Sequence, residues 1–150
     1  SEAMLAAGWT NLAGRSETFD YQGHSFQLVG NARPWFGDEP TFADRGSAAN
    51  SLPRILLAHT PDLFPWAQAK KFDLMLAGHT HGGQIRLPII GPLISPSAYG
   101  FRYASGVFAE NGTVMHVSRG ISGEHLLRWN CPPELTLLTL RAEQSSGVPC

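Results

Sequence analysis

The chain of 150 residues carries 11 Lys and Arg against 12 Asp and Glu, a formal net charge of -1, and so lacks the basic footprint that nucleic acid or an anionic membrane surface attracts. Hydrophobic residues make up 43%, enough for one solid core, and the longest apolar runs are strand-sized, far short of the roughly 20 residues of a membrane span. Nucleic acid is disfavoured as a partner, and the segment is expected to be soluble.

The first residues, Ser1-Glu2-Ala3-Met4-Leu5, include no initiator Met, basic flank or apolar signal stretch, and read as a point inside a larger protein, in or near a helix. Ser16 to Tyr21 and His24 to Gly30 alternate apolar and polar residues around Gln22-Gly23, which predicts a hairpin. Residues 31–53 are rich in Pro and Gly and predict a long loop, with a short helix near Thr41 to Ala49. Arg54 to His59 is a continuous apolar run ending in His, the pattern of a strand buried on both faces. Thr60-Pro61-Asp62 supplies a cap, a first-turn Pro and an acid for a helix through Lys70-Lys71, and Phe72 to Ala77 is a second buried strand. Strand, helix, strand is a βαβ unit, so the two strands should be parallel with a right-handed crossover. Gln84 to Leu87, a Pro/Gly loop over residues 88–100, a hairpin of Phe101 to Ala109 with Val114 to Ser118 around Asn111-Gly112, and a final strand from Leu135 to Arg141 complete the expectation. Residues 143–150 read as a frayed tail, and Cys131 and Cys150 as two free thiols or, alternatively, one disulfide.

Each buried strand ends in histidine: His59 after the first, His79 and His81 after the second. Ligand groups in α/β sheets gather at the C-terminal strand edge, so the three imidazoles should converge there. Neutral imidazoles so placed are suited to a divalent metal, and Gly78, Gly82 and Gly83 allow the turns that His79 and His81 need to serve different ions. His24, His116 and His125 read as capping or core histidines, and Thr60, Pro61 and Asp62 are explained by capping alone.

The string Gly78-His79-Thr80-His81-Gly82-Gly83-Gln84-Ile85-Arg86-Leu87-Pro88, preceded by Leu57-Ala58-His59-Thr60-Pro61-Asp62, resembles the C-terminal half of a calcineurin-like metallophosphoesterase, and within it a bacterial subgroup of YkuE type. Gly91-Pro92, Tyr99-Gly100, Ser118-Arg119-Gly120 and Cys131 to Leu140 fit the same subgroup. The resemblance implies an α/β fold, the C-terminal part of an α/β/β/α sandwich, over residues 1–142. It implies a two-metal centre of Mn, Zn or Fe, with His59 and His79 on one ion and His81 on the other, acting on phosphate monoesters, diesters or pyrophosphate linkages, lipid- or sugar-linked substrates among them.

The family completes such a site with Asp-x-His, Gly-Asp-x-x-Asp and Gly-Asn-His motifs, and this sequence contains none of them: Gly30-Asn31 continues to Ala32, and Gly37-Asp38 has no second Asp in register. The expectation is therefore the C-terminal part of a longer hydrolase, cytoplasmic or membrane-associated. By itself this part would hold one weakly bound ion or none, with negligible turnover, because two dications repel without a bridging anion. Two alternatives stand beside it: a non-catalytic binding module, forming a homo-oligomer through surface left by the absent half, or a mononuclear three-His zinc hydrolase. Arg86 and Arg119 are read as strand-end charges or phosphate-steering groups, and Trp35, Phe36 and Trp66 as core or as an apolar substrate groove.

Overall fold

A computed structural model describes residues 2–42, 52–123 and 127–141. The helix expected near Thr41 to Ala49, His125, Cys150 and the tail at 143–150 fall wholly or mainly outside the described residues. A short helix α1 (Glu2–Ala6) buries none of its side chains. It is followed by β1 (Ser16–Tyr21) and β2 (His24–Asn31), antiparallel with Tyr21 opposite His24. Gln22 and Gly23 at the turn have φ of 50° and 79°, the left-handed pair that a tight hairpin of this hand demands.

The βαβ unit forms as expected. Strand β3 (Arg54–Ala58) leads through a 3-10 turn (Pro61–Leu63) into α2 (Phe64–Ala69) and back to β4 (Leu74–Ala77), parallel to β3. Thr60 caps the turn, its hydroxyl accepting the Asp62 N–H at 3.3 Å. The second strand starts at Leu74 rather than Phe72, because Phe72 turns into the core and the Asp73 carboxylate accepts the Arg54 N–H at 2.7 Å. Short strands β5 (Arg86–Leu87) and β6 (Gly91–Pro92) pair with each other. Strands β7 (Gly106–Glu110) and β8 (Thr113–Val117) form the second hairpin across Asn111-Gly112. Its first strand is shorter than expected, residues 101–105 being turn and bend.

Six strands make one mixed sheet in the order β1-β2-β3-β4-β8-β7, its four central strands parallel and its two edges antiparallel. Side chains alternate across it. Val29, Leu56, Met75 and Met115 stand in register on one face, fully buried under Phe64, Ala67, Phe72 and Tyr103. The opposite face carries Leu28, Ile55, Leu57, Leu74, Leu76 and Val114, of which Leu57 and Val114 are exposed.

The final strand is a correction. Residues 131–141 form no strand, and Leu135 and Leu137 are 92% and 93% exposed. A Leu- and Thr-rich run is able to be a strand, but a strand exists only against a partner edge; here the Glu134 N–H donates to the Gly120 carbonyl in a loop instead. Among the described residues no helix is long and apolar enough to cross a membrane.

Candidate functional site

Parallel pairing puts the C-terminal ends of β2, β3 and β4 at one sheet edge. The Gly78 N–H donates to the His59 carbonyl at 3.2 Å, which holds the two post-strand loops side by side. His79 turns at φ 69°, and its Nδ1 lies 3.1 Å from His59 Nε2. One of these nitrogens donates and the other accepts, so the pair shares one proton at this contact. Trp35 packs on both rings, its centroid 4.9 Å from His59 and 4.6 Å from His79, in edge geometry. The Pro/Gly-rich loop thus lays an aromatic side chain, 46% exposed, against the histidine pair.

Asn31 closes β2 directly opposite Ala58. It is buried, its Oδ1 accepting the Arg33 N–H at 3.1 Å while its Nδ2 has no hydrogen-bond partner. With Leu12, Leu57, Leu76 and His59 it lines a shallow cavity of about 290 Å³.

His81 is not part of this pair. The backbone runs left-handed through His81, Gly82 and Gly83, with φ of 50°, 66° and 80°. His81 lines a different cavity, of about 260 Å³, with Thr80, Gln84, Ile85, Ile94 and Leu127. The expected convergence of three imidazoles is therefore a convergence of two, and among the described residues no three His, Cys, Asp or Glu side chains are grouped to hold one ion. Thr80, between the two loop histidines, is buried, and its hydroxyl donates to the Ala104 carbonyl at 2.7 Å.

The remaining sequence candidates divide. Trp66 packs edge-on against Phe42 and tilted against Phe72 in the core, and Phe36 is exposed. Arg86 donates to the Gly82 carbonyl at 3.0 Å, and Arg119 is ion-paired with Glu134 at 3.5 Å, so both are built into the loops around His81. His116 is buried in β8, and His24 lies exposed at the first hairpin. Cys131 is a buried free thiol.

Sequence reasoning missed Arg128. Its guanidinium donates to the carbonyls of Arg119 at 2.8 Å, His81 at 3.3 Å and Cys131 at 3.4 Å, and also to those of Gly120 and Ser122. A planar fork with five N–H groups can tie several strands of loop at once. The one signal was an Arg within the apolar run Leu126-Leu127-Arg128-Trp129.

A mixed α/β sheet with histidines gathered where its parallel strands end places the chain among α/β proteins whose chemistry lies at that edge. No protein-family model and no solved structure matches the chain. It is 39% identical to phosphodiesterase YaeI of Escherichia coli over 140 residues, 93% of this chain and 50% of that protein. It is 43% identical to metallophosphoesterase YkuE of Bacillus subtilis over 89 residues, 59% of this chain and 31% of that protein. It is also 34% identical to UDP-2,3-diacylglucosamine pyrophosphatase LpxG of Chlamydia trachomatis over 95 residues, 59% of this chain and 29% of that protein. These relatives are calcineurin-like metallophosphoesterases, and between them they cover the chain. It spans half the length or less of these curated relatives.

Proposed function

We propose that the chain supplies the histidine side of a two-metal centre, in a longer enzyme that hydrolyses phosphate monoesters, diesters or pyrophosphate linkages. The observation that carries this reading is the 3.1 Å between His59 Nε2 and His79 Nδ1. Two bonds of about 2.0–2.1 Å meeting at about 90–110° separate their nitrogens by about 2.8–3.4 Å, so the pair fits one divalent ion once the proton between them sits on the far nitrogen of its ring. His81 is the donor for the second ion. Bound divalent ions would supply charge neutralisation at the phosphoryl oxygens and a water nucleophile at neutral pH.

The chain's own residues do the positioning. Trp35 fixes the tilt of both imidazoles, Thr80 anchors the loop between His79 and His81, and the Asn31 amide offers an N–H at the edge where substrate oxygens would lie. The open sheet face bearing Leu57 and Val114 supports the sandwich, in which a second layer covers it. This sequence lacks the carboxylate motifs of the family, so the 150 residues alone would bind one ion weakly and turn over negligibly.

A colorimetric assay with bis(p-nitrophenyl) phosphate and p-nitrophenyl phosphate in Mn²⁺ tests this. The 150-residue chain should show no turnover above buffer, and its fusion to the complementary portion of a family member should restore it. Turnover by the chain alone at the rate of a full-length relative would sink the divided-site reading. Absence of turnover in every fusion would sink the hydrolase reading.

A further inference from the structure

The turn that carries His81 has a costly backbone. His81, Gly82, Gly83 and Gln84 have φ of 50°, 66°, 80° and 41° in succession, and two of these four residues have a Cβ, for which a positive φ is sterically unfavourable. Such a conformation persists only where its surroundings over-determine it. Two bonds are local to the turn: the Gly83 N–H donates to the Thr80 carbonyl at 2.8 Å and the Gln84 N–H to the His81 carbonyl at 3.2 Å. The others come from further along the chain. The His81 carbonyl also accepts from Arg128 Nη1 at 3.3 Å and from the Cys131 thiol at 3.4 Å. The Gly82 carbonyl accepts from Arg86 Nη1 at 3.0 Å and from the same thiol at 3.6 Å. Arg128 is itself fixed, because its Nη2 donates to the Arg119 carbonyl at 2.8 Å. One guanidinium thus ties the His81 turn to the segment that follows β8, and a planar fork is suited to spanning both.

We propose that Arg128 is the positioning residue for His81: by clamping the His81 carbonyl it holds the backbone left-handed and so sets the direction of the imidazole. A return of His81 to negative φ would redirect its Cα–Cβ bond and take the ring out of the cavity that it lines. Release of the clamp therefore costs the ion that His81 serves and leaves the His59–His79 ion in place, since that pair is held by its own contact at 3.1 Å. The inference rests on the two-metal reading for what His81 binds, while the clamp itself is independent of it.

Nuclear magnetic resonance of the isotope-labelled 150-residue chain, with no metal added, tests the clamp. A residue at positive φ brings its own amide and Hα protons close together and gives a strong cross-peak between them. The parent chain should show that cross-peak at His81 and Gln84, and also at His79 and Asn111, whose φ values are 69° and 50°. Arg128→Ala should weaken it at His81 and Gln84 alone. Arg128→Lys, the milder change, should act in the same direction because an ammonium lacks the fork, and it supplies the result if the Ala variant does not fold. In the fusion to the complementary portion of a family member, equilibrium dialysis against Mn²⁺ should find the first ion held as in the parent. The second should be weakened at least about tenfold by either variant, the loss expected when a partner that orients a ligand is removed. Unchanged cross-peaks at His81 and Gln84 in both variants overturn the proposal. So does an equal loss at His79 and Asn111, or equal weakening of both ions, since Arg128 then only stabilises the fold. The two readings separate cleanly. A parent fusion that takes up one ion, with the cross-peaks lost as expected, keeps the clamp and removes the two-metal reading; two ions held equally well with and without Arg128 do the reverse.

Discussion

His59 and His79 approach to 3.1 Å between ring nitrogens although 20 residues separate them. The contact is made by strand pairing: Leu57 is level with Leu76, and each chain leaves the sheet just beyond. Such a pair should take up a divalent ion when the proton between the rings moves to the far nitrogen of its own ring. The expected stoichiometry for the isolated chain is at most one Zn²⁺ or Mn²⁺, by equilibrium dialysis. His59→Ala and His79→Ala should each weaken uptake at least about tenfold, since loss of even an outer hydrogen-bond partner to a ligand costs that much. His81→Ala should change it little, because His81 lines a separate cavity. Equal loss in all three variants would mean that one ion gathers all three rings.

Arg128 joins loops that have no regular structure of their own, and its acceptors are backbone carbonyls and, at 3.9 Å, the Cys131 Sγ. Hydrogen bonds to a charged group contribute about 1.5–3 kcal/mol, so Arg128→Ala should destabilise the chain by about 2–4 kcal/mol through several bonds lost together. Arg128→Lys should recover less than half of this, because a point-charge ammonium cannot reach carbonyls on three segments. Urea midpoints of the two variants check the ranking, and equal stability of the Lys variant and the parent chain would contradict it.

Gly83 has φ of 80°, and a Cβ there would fall 2.3 Å from Pro92 Cβ and 2.8 Å from the Ile94 carbonyl oxygen. Neither neighbour is a flexible side-chain end. Left-handed strain of about 1–2 kcal/mol and overpacking of about 1–3 kcal/mol give about 2–5 kcal/mol for Gly83→Ala. At Gly82 the nearest atoms are Cys131 Sγ and the Arg119 side chain, which can move. Gly82→Ala should therefore be the milder change in thermal unfolding, and the opposite order would show that Pro92 gives way.

The parts of this fold that were legible in the sequence are the ones specified locally. Gly23 and Gly112 sit at turns that need positive φ, and Thr60 caps the 3-10 turn that leads into α2. The apolar runs before His59 and His79 are adjacent parallel strands, with Leu56 and Met75 fully buried on one face and Leu57 exposed on the other rather than buried on both, and the position of each His at a strand end placed the pair correctly. The rest depends on contacts between distant segments. The Leu135 to Arg141 run looks like a strand, yet pairing requires an edge that no local pattern reports. His81 departs from His79 because two left-handed glycines follow it, which sequence shows as freedom rather than as direction. Trp35 reaches the site from a loop whose path depends on the whole sheet edge, so composition alone left it undecided between core and groove.

Tyr103 provides a pH-dependent test of the core. Its ring is buried between Phe64 and Phe108, and its hydroxyl donates to both carboxylate oxygens of Glu110, at 3.1 and 3.2 Å. Burial first, and then the Glu110 hydrogen bond and charge, push the phenol above its ordinary value of 10.0, with Arg102 opposing. A pKa raised on folding means that the folded state holds its proton more firmly than the unfolded chain. The stabilisation is therefore complete below pH 10 and is lost as the pH rises through 10 toward the folded value. Tyr103→Phe keeps the ring packing and removes the hydrogen bond; because Glu110 is a third exposed and also paired with Arg102 at 3.0 Å, the cost near neutrality should be about 1 kcal/mol. Urea midpoints measured from pH 7 to 11 should then show the parent chain falling more steeply than Tyr103→Phe above pH 10, the gap between them closing. Parallel curves across that range would mean that the phenol is already free to ionise in the folded state.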